Sequence, residues 1–364
     1  MRVLVVNAGS STLKLSLLDA ADRICAEREL DAPRGGIEAE ALAAALAGGL
    51  GEADAVGHRI VHGGERFAQA VRIDGGVEAE LRALVDLAPL HQPKSLAALD
   101  AVSAALPGLP AVACFDTAFH ATLPPAARTY ALPAEWRERW HVRRYGFHGL
   151  SHAWVARRAP ELLGVEPGLR IVSCHLGAGA SLCAIAAGRS LDTTMGFTPL
   201  EGLVMATRSG SVDPGLLLWL LERTGMSEPE LAAALEHDSG LLGLAGSADM
   251  REVLARAAEG DAAAGLALDV YVHRLRAGIA AMSAALGGLD VLAFTGGVGE
   301  RAPEVRLRAA EGLAFLGVRV DRDRNDAAGA DAEITAEGAS ARTVVLRARE
   351  DLEIAAQVRR ALGG

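Results

Sequence analysis

Apolar residues at the start of the chain come in short runs broken by glycine. Arg2–Val6 carries an unbroken aliphatic run and predicts a buried strand, Asn7-Ala8-Gly9-Ser10 predicts a turn, and Leu13, Leu15 and Leu17 alternate with Lys14 and Ser16 as in a second strand. A turn at Asp19–Asp22 leads to a third short strand, Arg23–Leu30. About 168 positions later the layout recurs: Arg170–His175 reads as a strand, Gly177-Ala178-Gly179 as a turn, Ser181–Ala186 as a strand, and Gly188-Arg189 as a turn before a third. Each trio precedes longer helical patterns. The reading is a duplicated α/β unit with a cleft between the copies; two unrelated hairpins with similar turns would give the same string.

Helical periodicity marks Val77–Leu87, Pro93–Leu106 and Pro214–Thr224, the last opening after Asp213 with proline at its first position. Asp261–Leu286 is long, alanine-rich and amphipathic, and Glu350–Leu362 closes the chain as a helix. Between them a strand at Val291–Thr295 meets Gly296-Gly297-Val298-Gly299. The expected domains are 1–146 with 350–364, and 147–349.

A length of 364 residues suits about two domains. With 51% hydrophobic and 23% charged residues the chain is globular in composition, neither disordered nor fibrous. A net charge of −10 argues against a broad nucleic-acid surface but leaves room for a local anion site. The opening apolar run is too short for a signal peptide. The longest charge-free window, Ile171–Gly188, contains Ser173, His175, Ser181 and glycines, so it reads as buried strands rather than a membrane span. Cys25, Cys114, Cys174 and Cys183 are scattered and read as buried free thiols, with structural zinc a remote alternative. A cytoplasmic location is expected.

Candidate chemistry starts at Asn7–Lys14. A glycine turn between strands lets backbone N–H groups and the hydroxyls of Ser10, Ser11 and Thr12 face one point, and Lys14 adds a cation in a chain whose only other lysine is Lys94. Phosphate needs that combination. His175 with Gly177 and Gly179 repeats the theme. On the strand Gly57–His62, Arg59 and Val61 share a face, placing a guanidinium beside an apolar wall as a short carboxylic acid would require. Arg208 sits in the glycine-bounded loop Thr207–Gly210, Asp116 ends the apolar stretch Ala111–Phe115, and Glu350 begins the last helix. Either carboxylate suits Mg²⁺. Taken singly, these residues are equally ordinary hairpins, solvated arginines and helix caps. A rival motif, Gly297-Val298-Gly299-Glu300-Arg301-Ala302 with Asp321 about 20 residues on, fits a dinucleotide fingerprint but leaves both hairpins unexplained.

Together the stretches VVNAGSSTLK, GHRIVHGGE, APLHQPKS, CFDTAFH, RYGFHGLSH, CHLGAGAS, SLDTTMGFTPLEGLVMATRSGSVDP, SGLLGL, ADMRE, DVYVHRL, FTGGVGE and REDLEIA resemble the acetate kinase family, within the superfamily of acetate and sugar kinases, heat-shock chaperones and actin. The likeness covers nearly the whole chain in order. It implies duplicated ribonuclease-H-like (actin-like ATPase) domains with an active-site cleft between them. The implied reaction is ATP + acetate ⇌ ADP + acetyl phosphate by direct in-line transfer, dependent on Mg²⁺ with Mn²⁺ as an alternative, in a homodimer without nucleic-acid or membrane partners. By the same resemblance, Asn7, Ser10, Thr12 and Lys14 form the first phosphate loop, and His175, Gly177 and Gly179 the second. Arg59 and Arg208 grip the acyl carboxylate and the transferring phosphoryl group, and His148 hydrogen-bonds that group. Asp116 is a catalytic carboxylate, while Asn7 and Glu350 serve the metal. Val61, Leu90, Phe147 and Pro199 line the methyl pocket; Asp249, Met250, Arg251, Gly296, Gly297 and Gly299 lie on the adenosine side. A propionate or other short-chain acyl kinase, and a non-kinase ATP-driven binding protein of the actin-like fold, are the alternatives. Departures from the family pattern are Ala178 for Asn, Arg301 for Asn, Leu150 for Thr, and a short segment between Leu18 and Ala55.

Overall fold

Six-stranded mixed sheets form the centre of each half of the chain. The computed structural model describes residues 1–9, 12–32, 38–85, 92–329 and 331–363. Ser10 and Leu90 lie outside the described residues. The first sheet comprises β1 (Val3–Ala8), β2 (Thr12–Leu18), β3 (Ile24–Asp31), β4 (Ala55–Ile60), β5 (Val71–Arg72) and β6 (Ala111–Phe115), in spatial order β3-β2-β1-β4-β6-β5. The second comprises β7 (Arg170–Leu176), β8 (Ala180–Ala186), β9 (Arg189–Thr193), β10 (Val291–Thr295), β11 (Ala332–Glu333) and β12 (Arg342–Val345), in the order β9-β8-β7-β10-β12-β11. Strand for strand the two orders are the same. So are the pairing senses: β1 and β7 run antiparallel to β2 and β8, and parallel to β4 and β10. The duplicated actin-like ATPase fold is what these two sheets with their helices constitute.

The first compact unit holds residues 1–121, 147–154 and 349–364; the second holds 122–146 and 155–348. This division differs from the expected limits at 122–146, at 147–154 and at Arg349. Local bonding explains why. The Arg144 N–H reaches Arg128 O, and those of Tyr145 and Gly146 reach Gly196 O. Gly149 N–H instead donates to Asp116 O, and Leu150 packs with Val3, Val5 and Ile354.

In the first unit β1 is apolar on both faces because both are covered, as parallel central strands require. Leu4 and Val6 pack with Leu13, Leu15, Leu17 and with Ala98 and Val102 of the helix Gln92–Ala105. Val3, Val5, Ala55, Val112 and Cys114 lie beneath Ile354, Ala355 and Val358 of the helix Glu350–Ala361. That helix comes so close to β4 that a Cβ on Gly57 would stand 2.6 Å from Ile354 and from Val358. Only glycine fits there. In the second unit Asp261 caps the helix Ala262–Ala285 by accepting from the N–H groups of Ala263 and Ala264.

Two expectations change. Val61 falls just beyond β4 rather than within it, although it remains buried. Cys114, Cys174 and Cys183 are buried thiols, but Cys25 is exposed, because β3 is an edge strand with most of its positions exposed. Among the described residues, no helix is long and apolar enough to cross a membrane.

Candidate active site

The first unit gathers its charged side chains at the carboxyl ends of three neighbouring parallel strands. Alternation along β1, β4 and β6 puts Val5 and Asn7, Gly57 and Arg59, Cys114 and Asp116 on one face, where the first member of each pair is core and the second lies at the strand's end. Open α/β sheets place ligands at such ends. Arg59 meets Asp116 in a two-point contact, with Nη2 to Oδ2 at 2.7 Å and Nε to Oδ1 at 3.1 Å. Its Nη1 donates to Asn7 Oδ1 at 3.0 Å, and Asn7 Nδ2 donates to Glu350 Oε2 at 3.1 Å. Four predicted residues from four segments therefore form one chain of contacts. Among the described residues these hydrogen bonds engage three of the five guanidinium N–H groups, with Nη1 also 4.0 Å from Glu350 Oε2, and one N–H on each terminal nitrogen remains for an acid's carboxylate.

Burial raises the Asp116 carboxyl above its ordinary value, with the Arg59 charge opposing that shift. Burial would likewise lower the Arg59 guanidinium, but the charges of Asp116 and Glu350 outweigh it and hold the group protonated. Asn7, Asp116 and Glu350 are hard oxygen donors. Among the described residues no cluster of three or more His, Cys, Asp or Glu side chains forms a metal cage. A sparse set of this kind fits Mg²⁺, which keeps waters and phosphate oxygens and takes one or two carboxylates from the protein.

Nearby in sequence, Phe147 is buried with its ring edge-on to His62 at 5.7 Å, and its carbonyl lies 3.0 Å from a ring nitrogen of His120. His148 holds φ at 55°, a left-handed conformation that costs energy for any residue but glycine, immediately before the helix Gly149–Leu163. Thr12 O accepts from Gly9 N–H to close the first turn. Lys14 is Asn7's cross-strand partner and stands 3.7 Å from Glu29 on an exposed surface.

In the second unit, Gly177 N–H donates to Gly179 O, closing the turn that follows His175. Ala178 contributes a carbonyl to Ala206 N–H. Arg208 Nη1 donates to Pro199 O at 2.9 Å, while its Nε stands 3.5 Å from Glu236 Oε2. Burial lowers the Arg208 guanidinium from its ordinary value, with Glu236 opposing. Asp249 caps the helix Met250–Ala258 and pairs with the exposed Arg251, whereas Met250 is buried. Gly296 follows β10 at φ 79°, and a Cβ there would press on Leu176 backbone. Gly297 is different: nothing lies within 4 Å of where its Cβ would be, so packing does not explain this glycine. Asp321, the acidic member of the rival dinucleotide motif, caps its own helix through Arg324 N–H.

The sequence profile of the acetokinase family matches residues 37–356. An acetate kinase of Leifsonia xyli subsp. xyli is 47% identical, over 99% of this chain and 98% of that one. This chain belongs to the acetokinase family. Among solved structures similar to this family member, the crystal structure of Porphyromonas gingivalis acetate kinase has a TM-score of 0.91 at 36% identity over 99% of each chain. That of a propionate kinase from Francisella tularensis has a TM-score of 0.91 at 34% identity over 98% of each.

Some residues around these acetokinase motifs escaped the sequence reading. Arg144 donates to the carbonyls of Thr194 and Met195 and to Glu201 Oε1 at 2.7 Å, while the Tyr130 hydroxyl bonds Glu201 Oε2 and accepts from Phe197 N–H. This network stiffens the segment leading to Pro199. Its hydrogen-bonded partners lie 50 or more residues apart in sequence. Arg144 and Glu201 each lie inside one of the family stretches, but no local pattern pairs them with each other or with Tyr130. Of the family departures, Leu150 is core, Ala178 is exposed and accepts a hydrogen bond through its carbonyl, and Arg301 is exposed.

Proposed function

We infer that this acetokinase family member is an acetate kinase that passes the γ-phosphoryl group of ATP directly to acetate. The reading is supported by the chain of contacts Asp116–Arg59–Asn7–Glu350, with two guanidinium N–H groups that no hydrogen bond among the described residues engages. A carboxylate is already ionised at neutral pH, so the reaction needs no general base. It needs charge neutralisation and in-line placement, because two anions repel strongly unless cations intervene.

On this reading Arg59 orients the acetate carboxylate, and Asp116 holds the guanidinium in one rotamer. An acetate oxygen attacks the γ-phosphorus as the bond to the ADP oxygen breaks, and ADP leaves. Arg208 and His148 stabilise the charge of the moving phosphoryl group. Val61, Phe147, Pro199 and Leu90 enclose the methyl group. His175, Gly177 and Gly179 with Asn7, Ser10, Thr12 and Lys14 receive phosphates; Asp249, Met250, Arg251, Gly296, Gly297 and Gly299 receive the adenosine. Glu350 with Asn7 would hold Mg²⁺, or Mn²⁺ in its place, which supplies neutralising charge to the phosphates. One methylene in an apolar pocket is worth roughly 1–3 kcal/mol, so propionate is a second acid.

The same proposal includes a homodimer acting in the cytoplasm, where its nucleotide is found. The helix Pro214–Arg223 has no buried residue and leaves Leu216, Leu218 and Trp219 about half exposed, an apolar face suited to another copy. Leu218→Lys is expected to lower the solution mass from dimer to monomer in light scattering. For the reaction, purified chain with Mg-ATP, acetate and hydroxylamine should yield acetyl hydroxamate. No hydroxamate at any pH or with either metal would overturn the reading.

A further inference from the structure

Three of the six residues in the helix Gly296–Arg301 are glycine, each costing about 1 kcal/mol of helix propensity against alanine. Such a short segment does not hold its own shape. Beneath it lies Arg306, on the next helix (Pro303–Glu311), which is completely buried although it is an arginine. Its Nη1 donates to Gly299 O and to Glu300 O, both at 2.9 Å. Its Nε and Nη2 donate to Oδ1 and O of Asn325 at 2.8 and 2.7 Å. Asn325 is also fully buried, and its Nδ2 donates to Pro303 O at 2.9 Å.

A buried cation is costly unless something answers its charge. Here half of the answer comes from the carbonyl end of the glycine helix, whose last C=O groups lack an intrahelical partner and carry partial negative charge, and half from Asn325. Burial lowers the guanidinium to about 10, with Asp326 opposing, so it is still protonated at neutral pH. The helix is tied at a second point, since Glu300 Oε1 accepts from Ala348 N–H at 2.9 Å. An apolar side chain would fill the space at Arg306 without the desolvation cost. What it would not do is bind two successive carbonyls.

We propose that Arg306 is a positioning residue for the nucleotide: it fixes the turn Gly296–Gly299 by holding the carbonyls of Gly299 and Glu300, and Asn325 fixes Arg306. The inference rests on the acetokinase reading, in which that turn meets the adenosine. Gly297 is the exposed consequence, a glycine with open space where a side chain would be.

The test uses the full chain with Arg306→Lys and Asn325→Ala, binding of a fluorescent ADP analogue, and steady-state kinetics with ATP and acetate varied separately. Lysine keeps the charge but cannot span two carbonyls and Asn325. The expected result for Arg306→Lys is a rise of about tenfold in the analogue's Kd and the ATP KM, with the acetate KM and kcat at saturating ATP within about twofold. Asn325→Ala should shift the same two constants by about threefold. If wild-type chain binds the analogue and both folded variants bind it equally well, the positioning role is wrong. Parallel rises in both substrates' KM, or failure of both variants to fold, would also overturn it by making Arg306 a general core residue. Wild-type chain that binds no adenine nucleotide would instead overturn the acetokinase reading itself.

Discussion

Arg59 and Asp116 stand 57 residues apart in sequence and share a two-point ion pair in which Asp116 is 2% and Arg59 17% exposed. Removing one partner from a buried pair strands the other charge and costs about 3–5 kcal/mol, more than the pair's net worth. We predict that Asp116→Ala lowers the free energy of unfolding in urea by about 3–5 kcal/mol and abolishes most activity. The double variant Arg59→Met with Asp116→Ala should be less destabilised than the sum of the singles, because neither member of the pair is left facing a missing partner. Additive losses in urea unfolding would show that the pair is not coupled.

Arg208 is expected to act on the moving phosphoryl group rather than in binding acid. Arg208→Ala should lower kcat far more than it raises the acetate KM, a loss of about 3–5 kcal/mol in transition-state stabilisation. Arg208→Lys should rescue poorly, since Pro199 O and the substrate call for a planar fork. Near-normal kcat in a folded Arg208→Ala protein would remove this arginine from the reaction.

Val61, buried just past the end of β4, is expected to limit acid length. Val61→Ala should raise kcat/KM for propionate and butyrate relative to acetate by roughly 10-fold or more, as one or two methylenes allow. Unchanged ratios across the three acids would exclude Val61 from the pocket.

His58, beside Arg59 on β4 but facing the opposite side, is a buried histidine whose ring nitrogens have no hydrogen-bond partner among the described residues. Burial lowers it to about 3. A pKa depressed in the folded state means that the unfolded chain takes up the proton first, so this stability is present above the unfolded value and is lost as pH falls. Between pH 6.5 and 5 the loss should approach about 2 kcal/mol from this one group. Urea unfolding at the two pH values should show a smaller acid loss in His58→Leu; an equal loss would assign the effect elsewhere.

Periodicity marks β1, β2, β7, β8 and β10 to within about two residues, because a strand covered on both faces must be apolar throughout and one covered on a single face must alternate. The division between the units is less legible, since single backbone bonds such as Gly149 N–H to Asp116 O decide it. Arg59, Asp116 and Glu350 can each be picked out by residue type and place at an element's end. That they meet depends on β4 and β6 being neighbours and on a C-terminal helix returning over Gly57, which no local pattern encodes. The same is true of Glu236 beside Arg208 and of Asn325 beneath Arg306: ordinary polar residues that acquire their roles only through tertiary contacts.

On the proposed mechanism a phosphoryl group passes directly to a carboxylate at the Arg59 site. The most direct measurement of this transfer is a single turnover of purified chain with Mg-[γ-³²P]ATP and acetate, quenched through the reaction course, beside Arg59→Ala. Label should pass from ATP to acetyl phosphate without appearing on the protein, and Arg59→Ala should suppress this strongly while remaining folded. Label accumulating on the chain before acetyl phosphate forms, or undiminished transfer by Arg59→Ala, would contradict this mechanism.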